Sequence, residues 1–230
     1  MFLKKDLEIQ QFCIFTKIYP PLSKTRFFHQ NEQTMSNIYQ LKVQLEGATK
    51  PPIWRQLQVP QDISLYLLHC CIQGAMGWYN SHLHQFIIGG QYYGIPFSEE
   101  DDDMIDERSI KLVSVLKHEK AYIMYEYDFG DGWMHRVILE KIIPIDTNHK
   151  YPLLIAGKGA CPPEDCGGVW GYEDLKETLS NPKHEEHEEM LEWLGVEEFD
   201  PNDFDLKAHQ KEMMTFYKAG IKDKGKSFEM

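Results

Sequence analysis

Residues 122–143 read YIMYEYDFGDGWMHRVILEKII, and this stretch decides the fold. Tyr122–Phe129, where Tyr125, Tyr127 and Phe129 alternate with Glu126 and Asp128, and Trp133–Ile143 both read as strands with a two-residue period. Gly130-Asp131-Gly132 stands between them, where glycine and aspartate tolerate positive φ. The pair is an antiparallel hairpin with Trp133, His135, Val137 and Leu139 on one face.

Outward toward the N-terminus the same period recurs. Ile38 to Leu45 alternates cleanly, and Ile53 to Val59 is a second short run closed by Pro60. Leu65, Leu68, His69, Ile72 and Met76 recur at helical spacing, predicting a helix over about Ser64–Met76 with Asp62 as its N-cap and Gly77 as its stop. Ser81–Ile88 reads as a strand, turning at Gly89-Gly90 into Gln91–Gly94. On that strand His82, His84 and Phe86 share a face. Glu99 to Glu107 holds seven carboxylates in nine residues and reads as a solvated loop. Ile110–Leu116 fits helix or strand.

Toward the C-terminus the period lengthens. A Gly/Pro-rich loop runs from Gly157 to Gly168, followed by helical patterns at Tyr172–Leu179, Lys183–Leu194 and Asp205–Tyr217. Strands first, one helix inserted after the second strand and helices late predict an α+β domain on a mostly antiparallel sheet. We expect three parts: a loosely ordered extension over 1–36, the domain over 37–206, and a C-terminal helix with a lysine-rich tail over 207–230. Met35 is a second candidate start beside Met1.

Composition narrows the function. The 230 residues carry 24 basic and 36 acidic side chains, a net charge of −12. Such a chain has no bulk attraction to phosphate, which argues against direct nucleic-acid binding. Residues 164–205 alone hold two basic and fifteen acidic side chains. That segment is a solvated helical face or a surface for a basic protein partner, unless the lysines from Lys207 to Lys226 fold back onto it. No stretch approaches the roughly 20 apolar residues that cross a bilayer. Five cysteines, two of them adjacent, fit a reducing compartment, and the expected location is cytoplasmic.

Three clusters carry the chemistry. His82 and His84 can share a metal, or can be one exposed and one hydrogen-bonded core histidine. His135 sits among apolar neighbours and needs a partner such as Asp128 or Asp131, unless those aspartates serve the turn backbone. Cys161 and Cys166 stand at the wide limit of zinc spacing, with no second cysteine pair. His184-Glu-Glu-His187 is not the zinc-protease motif, because its second histidine falls at i+3.

In order along the chain these pieces form a pattern. Pro51-Pro52-Ile53-Trp54-Arg55 comes first, then Gly77-Trp78 with Ser81-His82-Leu83-His84-Gln85-Phe86. Tyr127 to Trp133 with His135 follows, then Cys161-Pro162-Pro163-Glu164-Asp165 with Gly167-Gly168, and finally Phe199-Asp200-Pro201. The succession from about Ile38 to Leu206 resembles the plasmid pRiA4b ORF-3 family. The resemblance implies an α+β fold on a strongly curved sheet and a plasmid or mobile-element setting. The family is mostly uncharacterised, and some members carry the label of transposon-passenger resolvase. Recombination needs a nucleophile among arginines that hold the phosphate, and arginines are few here. Cys161, Glu164 and Asp165 match the family pattern, whereas Cys166 stands where members commonly have valine.

The expected function is a non-catalytic binding or interaction domain. Its pocket is framed by residues 157–168, the 128–135 hairpin and the His82/His84 strand, and lined by Trp78, Phe86, Trp133 and Trp170. The rival is a metal-assisted hydrolase with His84, His135, Cys161 or a nearby aspartate as ligands for a divalent ion such as zinc, and Glu164 or Asp165 as general base. A third reading, a DNA-associated accessory protein, would use the basic termini as arms.

Overall fold

The structure is a computed structural model that describes residues 37–47, 49–96 and 103–223. The expected N-terminal extension, the start of the acidic loop and the last lysines of the tail lie outside the described residues. Eight strands form one open sheet: β1 (Ile38–Leu45), β2 (Trp54–Pro60), β3 (His84–Ile88), β4 (Gln91–Gly94), β5 (Met104–Asp106), β6 (Tyr122–Tyr127), β7 (Trp133–Ile143) and β8 (Leu153–Lys158). Their spatial order is β5-β4-β3-β6-β7-β1-β2-β8. Every pairing is antiparallel except β4 with β5. The register shifts at Gln40/Leu41 and at Gln56/Leu57, where bulges bend the central strands.

Alternation assigns the faces. Leu41, Val43 and Leu45 of β1, Leu57 and Val59 of β2, Tyr125 of β6, and Trp133, Val137 and Leu139 of β7 are buried together. The opposite face is polar: the Gln40 and Gln56 amides both donate to Glu140, and Gln58 donates to Gln40. One wet and one dry face is the expected state of an antiparallel sheet.

Helix α1 (Leu65–Met76) covers the dry face, and every residue in it except Tyr66 is buried. A helix apolar all round needs cover on its far side too. That cover is α5 (Leu206–Lys222), which packs on α1 and beside β8. The approach is close enough that a Cβ on Gly74 would fall 2.5 Å from the Met213 backbone, which explains a glycine inside α1. Three further helices lie among the described residues: α2 (Leu112–Val115), α3 (Gly168–Ser180) and α4 (His187–Leu194).

The structure departs from the sequence reading at five places. Ser64, not Asp62, caps α1: its hydroxyl accepts from the Leu67 N–H. The strand expected from Ser81 begins at His84, so His82 lies in the loop before it. The acidic loop ends in a strand, and Glu107, its last carboxylate, is fully buried. The start of the Gly/Pro loop is the end of β8, an edge strand the pattern did not show. Finally, the C-terminal helix packs on α1 and β8 rather than folding back on residues 164–205.

Candidate functional site

Three loops converge beside β6: residues 77–83 after α1, the 128–132 turn, and residues 159–167 before α3. Each is fixed by its own chemistry. Asp128 adopts φ 57° and bends its Oδ1 back to accept from the N–H groups of Gly130 at 2.9 Å and Asp131 at 3.3 Å. Aspartate is among the residues that tolerate this left-handed region, because its short side chain can bond locally. Asp128 N–H donates to Leu83 O at 2.8 Å, which ties the turn to the 77–83 loop.

The third loop is clamped from both sides. Trp78 Nε1 donates to Pro162 O at 3.0 Å, and Gly167 N–H donates to Asp131 Oδ2 at 3.2 Å. Gly168 has φ 70°, and a Cβ there would lie 2.4 Å from Asp131 O. Only glycine allows the start of α3 to rest on the hairpin in this way. Glu164 acts as a clip: its Oε1 accepts from Tyr79 N–H at 2.9 Å and from the Tyr127 hydroxyl at 2.5 Å, while that hydroxyl accepts from Ser81 N–H. Burial, and then the neighbouring Glu164 carboxylate, push the Tyr127 hydroxyl above its ordinary range.

His82, Asp128 and Asp165 meet where the loops do. His82 Nδ1 faces Asp128 Oδ2 at 3.6 Å, and Nε2 faces Asp165 Oδ1 at 3.4 Å. Asp165, like Asp128, has positive φ. Among the described residues these three side chains form the one group of histidine, cysteine and carboxylate donors gathered closely enough to hold a metal ion. His82 and Asp128 line an open depression of about 430 Å³ whose wall also includes Asn80, Leu83 and Phe129.

The remaining predicted site residues lie elsewhere. Trp78, Phe86 and Trp133 are buried in the core, so they support the loops from beneath instead of lining an open pocket. Trp170 is 83% exposed. His135 is buried beside Trp78, and neither ring nitrogen has a hydrogen-bond partner; burial lowers it to about 4. The aspartates offered as its partner are occupied, Asp128 by its turn and His82, Asp131 by Gly167. Cys161 packs against the core, where burial raises its thiol above the ordinary range despite the nearby Arg55 guanidinium. His84, His135 and Cys161 therefore do not gather into one ligand set among the described residues.

His84 belongs to a buried polar stack that the sequence reading missed. Its ring lies parallel on His69 with centroids 3.4 Å apart, and its Nε2 pairs with Glu107 Oε1 at 2.9 Å. Gln73 Nε2 donates to the Tyr125 hydroxyl, leaving that hydroxyl to donate to His69 Nδ1; His69 Nε2–H then donates to Asn80 Oδ1. Burial pushes Glu107 up to about 8, His84 down to about 3 and His69 well below its usual range. Glu107 is thus the protonated donor and His84 Nε2 the acceptor. Asn80, with positive φ, joins this stack to the loop that carries His82. The sequence offered two hints: the place of His69 in the apolar period of α1, and the reading of one histidine of the His82/His84 pair as a hydrogen-bonded core residue, which is His84.

The comparisons agree with the pattern of motifs. Residues 37–208 match the plasmid pRiA4b ORF-3-like protein family. The chain is 41% identical over 167 residues to the uncharacterized protein y4hQ of Sinorhizobium fredii (strain NBRC 101917 / NGR234), covering 72% of this chain and 85% of that one. It is also similar to the crystal structure of a protein of unknown function, MM3350, from Methanosarcina mazei Go1. There the TM-score is 0.68 and the identity 40%, over 75% of this chain and 97% of the other. No helix among the described residues is long and apolar enough to cross a membrane. The chain belongs to the plasmid pRiA4b ORF-3-like protein family.

Proposed function

We propose that the protein is a binding module that engages a partner through the three-loop face. One observation carries the reading. Tyr79 (77% exposed), Leu83 (49%), Phe129 (45%) and Trp170 (83%) all present large apolar side chains to solvent on the clamped loops and the first turn of α3. Single exposed apolar residues are ordinary, whereas several on one set of rigid loops mark an interaction surface. Aromatic anchors held in advance lose little entropy on binding, which is why they dominate recognition hot spots.

Charge selects the partner. Asp128, Asp131, Glu164 and Asp165 stand on the same loops as these apolar residues, and the acidic segment 164–205 begins there. A peptide or protein segment with an apolar anchor flanked by lysine or arginine complements this face. Free Cys161 and Cys166 beside the face fit the reducing, cytoplasmic setting. Of the two bases offered for the hydrolase reading, Glu164 has one oxygen committed to Tyr79 N–H and the Tyr127 hydroxyl, the clip that holds the loops together.

The test is peptide display on the folded protein, counter-selected on a Phe129→Ala/Trp170→Ala double variant. Enriched peptides should share an apolar residue beside basic ones and bind the variant at least about tenfold more weakly, a loss of about 1.4 kcal/mol. Peptides that bind both proteins equally, or no enrichment over the library, would overturn the assignment.

A further inference from the structure

We infer that His82, Asp128 and Asp165 form a binding site for a single divalent transition-metal ion, open toward the depression beside Phe129. This goes beyond the docking role and stands independently of it, because it rests on donor geometry rather than on the apolar rim.

The donors come from three different loops, 37 or more positions apart in the chain, so their meeting is a property of the fold and not of a local charge run. One ring nitrogen of His82 and one oxygen from each aspartate lie within 4.8 Å of one another. A tetrahedral ion with bonds of about 2.1 Å needs donors about 3.4 Å apart. The closure required is within reach of side-chain rotation, and Asp165 is largely exposed and able to move. Asp128 does not need to move far: its Oδ1 already holds the turn and aims Oδ2 at His82.

Two further observations point to a cation. Among the described residues, neither Asp128 nor Asp165 has an ion pair with lysine or arginine; the ion-pair partner of each is His82. His82 Nε2 is buried and makes no hydrogen bond, although a carboxylate oxygen stands 3.4 Å away. A polar atom shielded from water normally has a partner. A metal ion between these groups supplies one for the imidazole and neutralises both carboxylates.

The donor set limits the ion. One imidazole and two carboxylates suit zinc or manganese, and contain none of the thiolate that would favour a softer metal. Three protein donors leave coordination positions open toward the depression, as in sites where water or a ligand completes the shell. The acidic segment that starts at Glu164 adds a field that concentrates cations at this face.

The experiment is calorimetric titration of the tag-free chain with zinc and, separately, with manganese, on the wild type and on His82→Ala, Asp165→Asn, His149→Ala and His184→Ala. One equivalent should bind the wild type. Affinity should fall at least about tenfold in the first two variants and stay unchanged in the last two, whose histidines lie on other surfaces. Thermal melting checks that each variant folds, and Asp165→Asn, at an exposed side chain, keeps the test valid if His82→Ala does not. Absence of stoichiometric binding of both ions would overturn the site, as would binding that survives His82→Ala and Asp165→Asn. Repeating the peptide selection in chelator separates the two assignments, because the docking face should keep its peptides when the ion is removed.

Discussion

His82 and His84 stand two residues apart and occupy opposite environments. His84 is sealed in the core, stacked on His69 and bonded to Glu107, with its charge suppressed. His82 sits in a loop between two carboxylates at the edge of an open depression. Strand alternation would have put both on one face; the start of β3 at His84 separates them. The difference teaches that this domain carries two polar systems of opposite character, linked at Asn80. One is closed and satisfied mostly from within, and its work is structural. The other is left incomplete at the surface, where a ligand can complete it.

The strongest way to break this division is to truncate both histidines. His84→Ala leaves the Glu107 carboxyl without its partner and opens a hole beside His69, and should cost about 3–5 kcal/mol in urea unfolding. His82→Ala removes no hydrogen bond of good geometry and should cost less than about 1 kcal/mol. Equal losses would show that the two histidines are not divided into structural and functional roles.

Next in size is Gly168→Ala. The added Cβ meets Asp131 O at 2.4 Å on a backbone with positive φ, so the start of α3 must lift from the hairpin. We expect a loss of about 1–3 kcal/mol, together with weaker ion binding as Asp165 moves away from His82. A variant that melts like the wild type and binds ions as tightly would show that the clamp does not position the site.

The closed system also has a pH signature. Glu107, raised to about 8, keeps a proton in the folded state that the unfolded chain has lost above about pH 4.5. The unfolded chain therefore binds fewer protons between those values, and this group's stabilising effect falls as pH rises, disappearing through pH 8. His69, His84 and His135 are lowered by burial, so their effect is present above pH 6.5 and lost as pH falls toward their folded values. The two trends oppose each other below pH 6.5, where the histidines outnumber the carboxyl, and these groups place the maximum near pH 6.5. From there to pH 8 the Glu107 contribution should decline by about 2 kcal/mol. Glu107→Gln mimics the protonated acid and should abolish that decline, as urea midpoints at pH 6.5 and 8 will read. An unchanged decline in the variant would assign the titration to another group.

How far these systems were legible in the sequence follows from the range of the forces involved. The hairpin at 122–143 and the first two strands could be read because alternation is a local property, and α1 because its apolar period is continuous. Glu107 could not be read: six carboxylates precede it in a run that composition marks as solvated, and only a distant partner, His84, makes its burial tolerable. β8 was hidden because Leu153–Lys158 is a short run that follows Pro152 and contains Gly157, at the sheet edge. His82, Asp128 and Asp165 were each visible as chemistry-bearing residues. Their grouping was not, since it depends on three clamps made by backbone N–H groups and by glycines that exist for lack of space. The same gap explains why Trp78, Phe86 and Trp133 read as pocket lining. A tryptophan in sequence gives no sign of which side of a loop it supports.

The smallest expected effect on stability belongs to the open system and is the most informative about function. Trp170 lies on the first turn of α3 with most of its ring in water, and Phe129 sits at the tip of the 128–132 turn. Neither is part of the buried core. Replacing either with alanine should change folding stability by no more than about 0.5 kcal/mol, because little apolar area returns to solvent. Removing such a ring from an unoccupied surface should also improve solubility. A destabilisation above about 2 kcal/mol would mean that these rings serve the fold, and the docking proposal would lose its main support. Near-wild-type melting with loss of the selected peptides would instead identify side chains kept exposed for a partner, in contrast to His84, whose removal harms the fold itself.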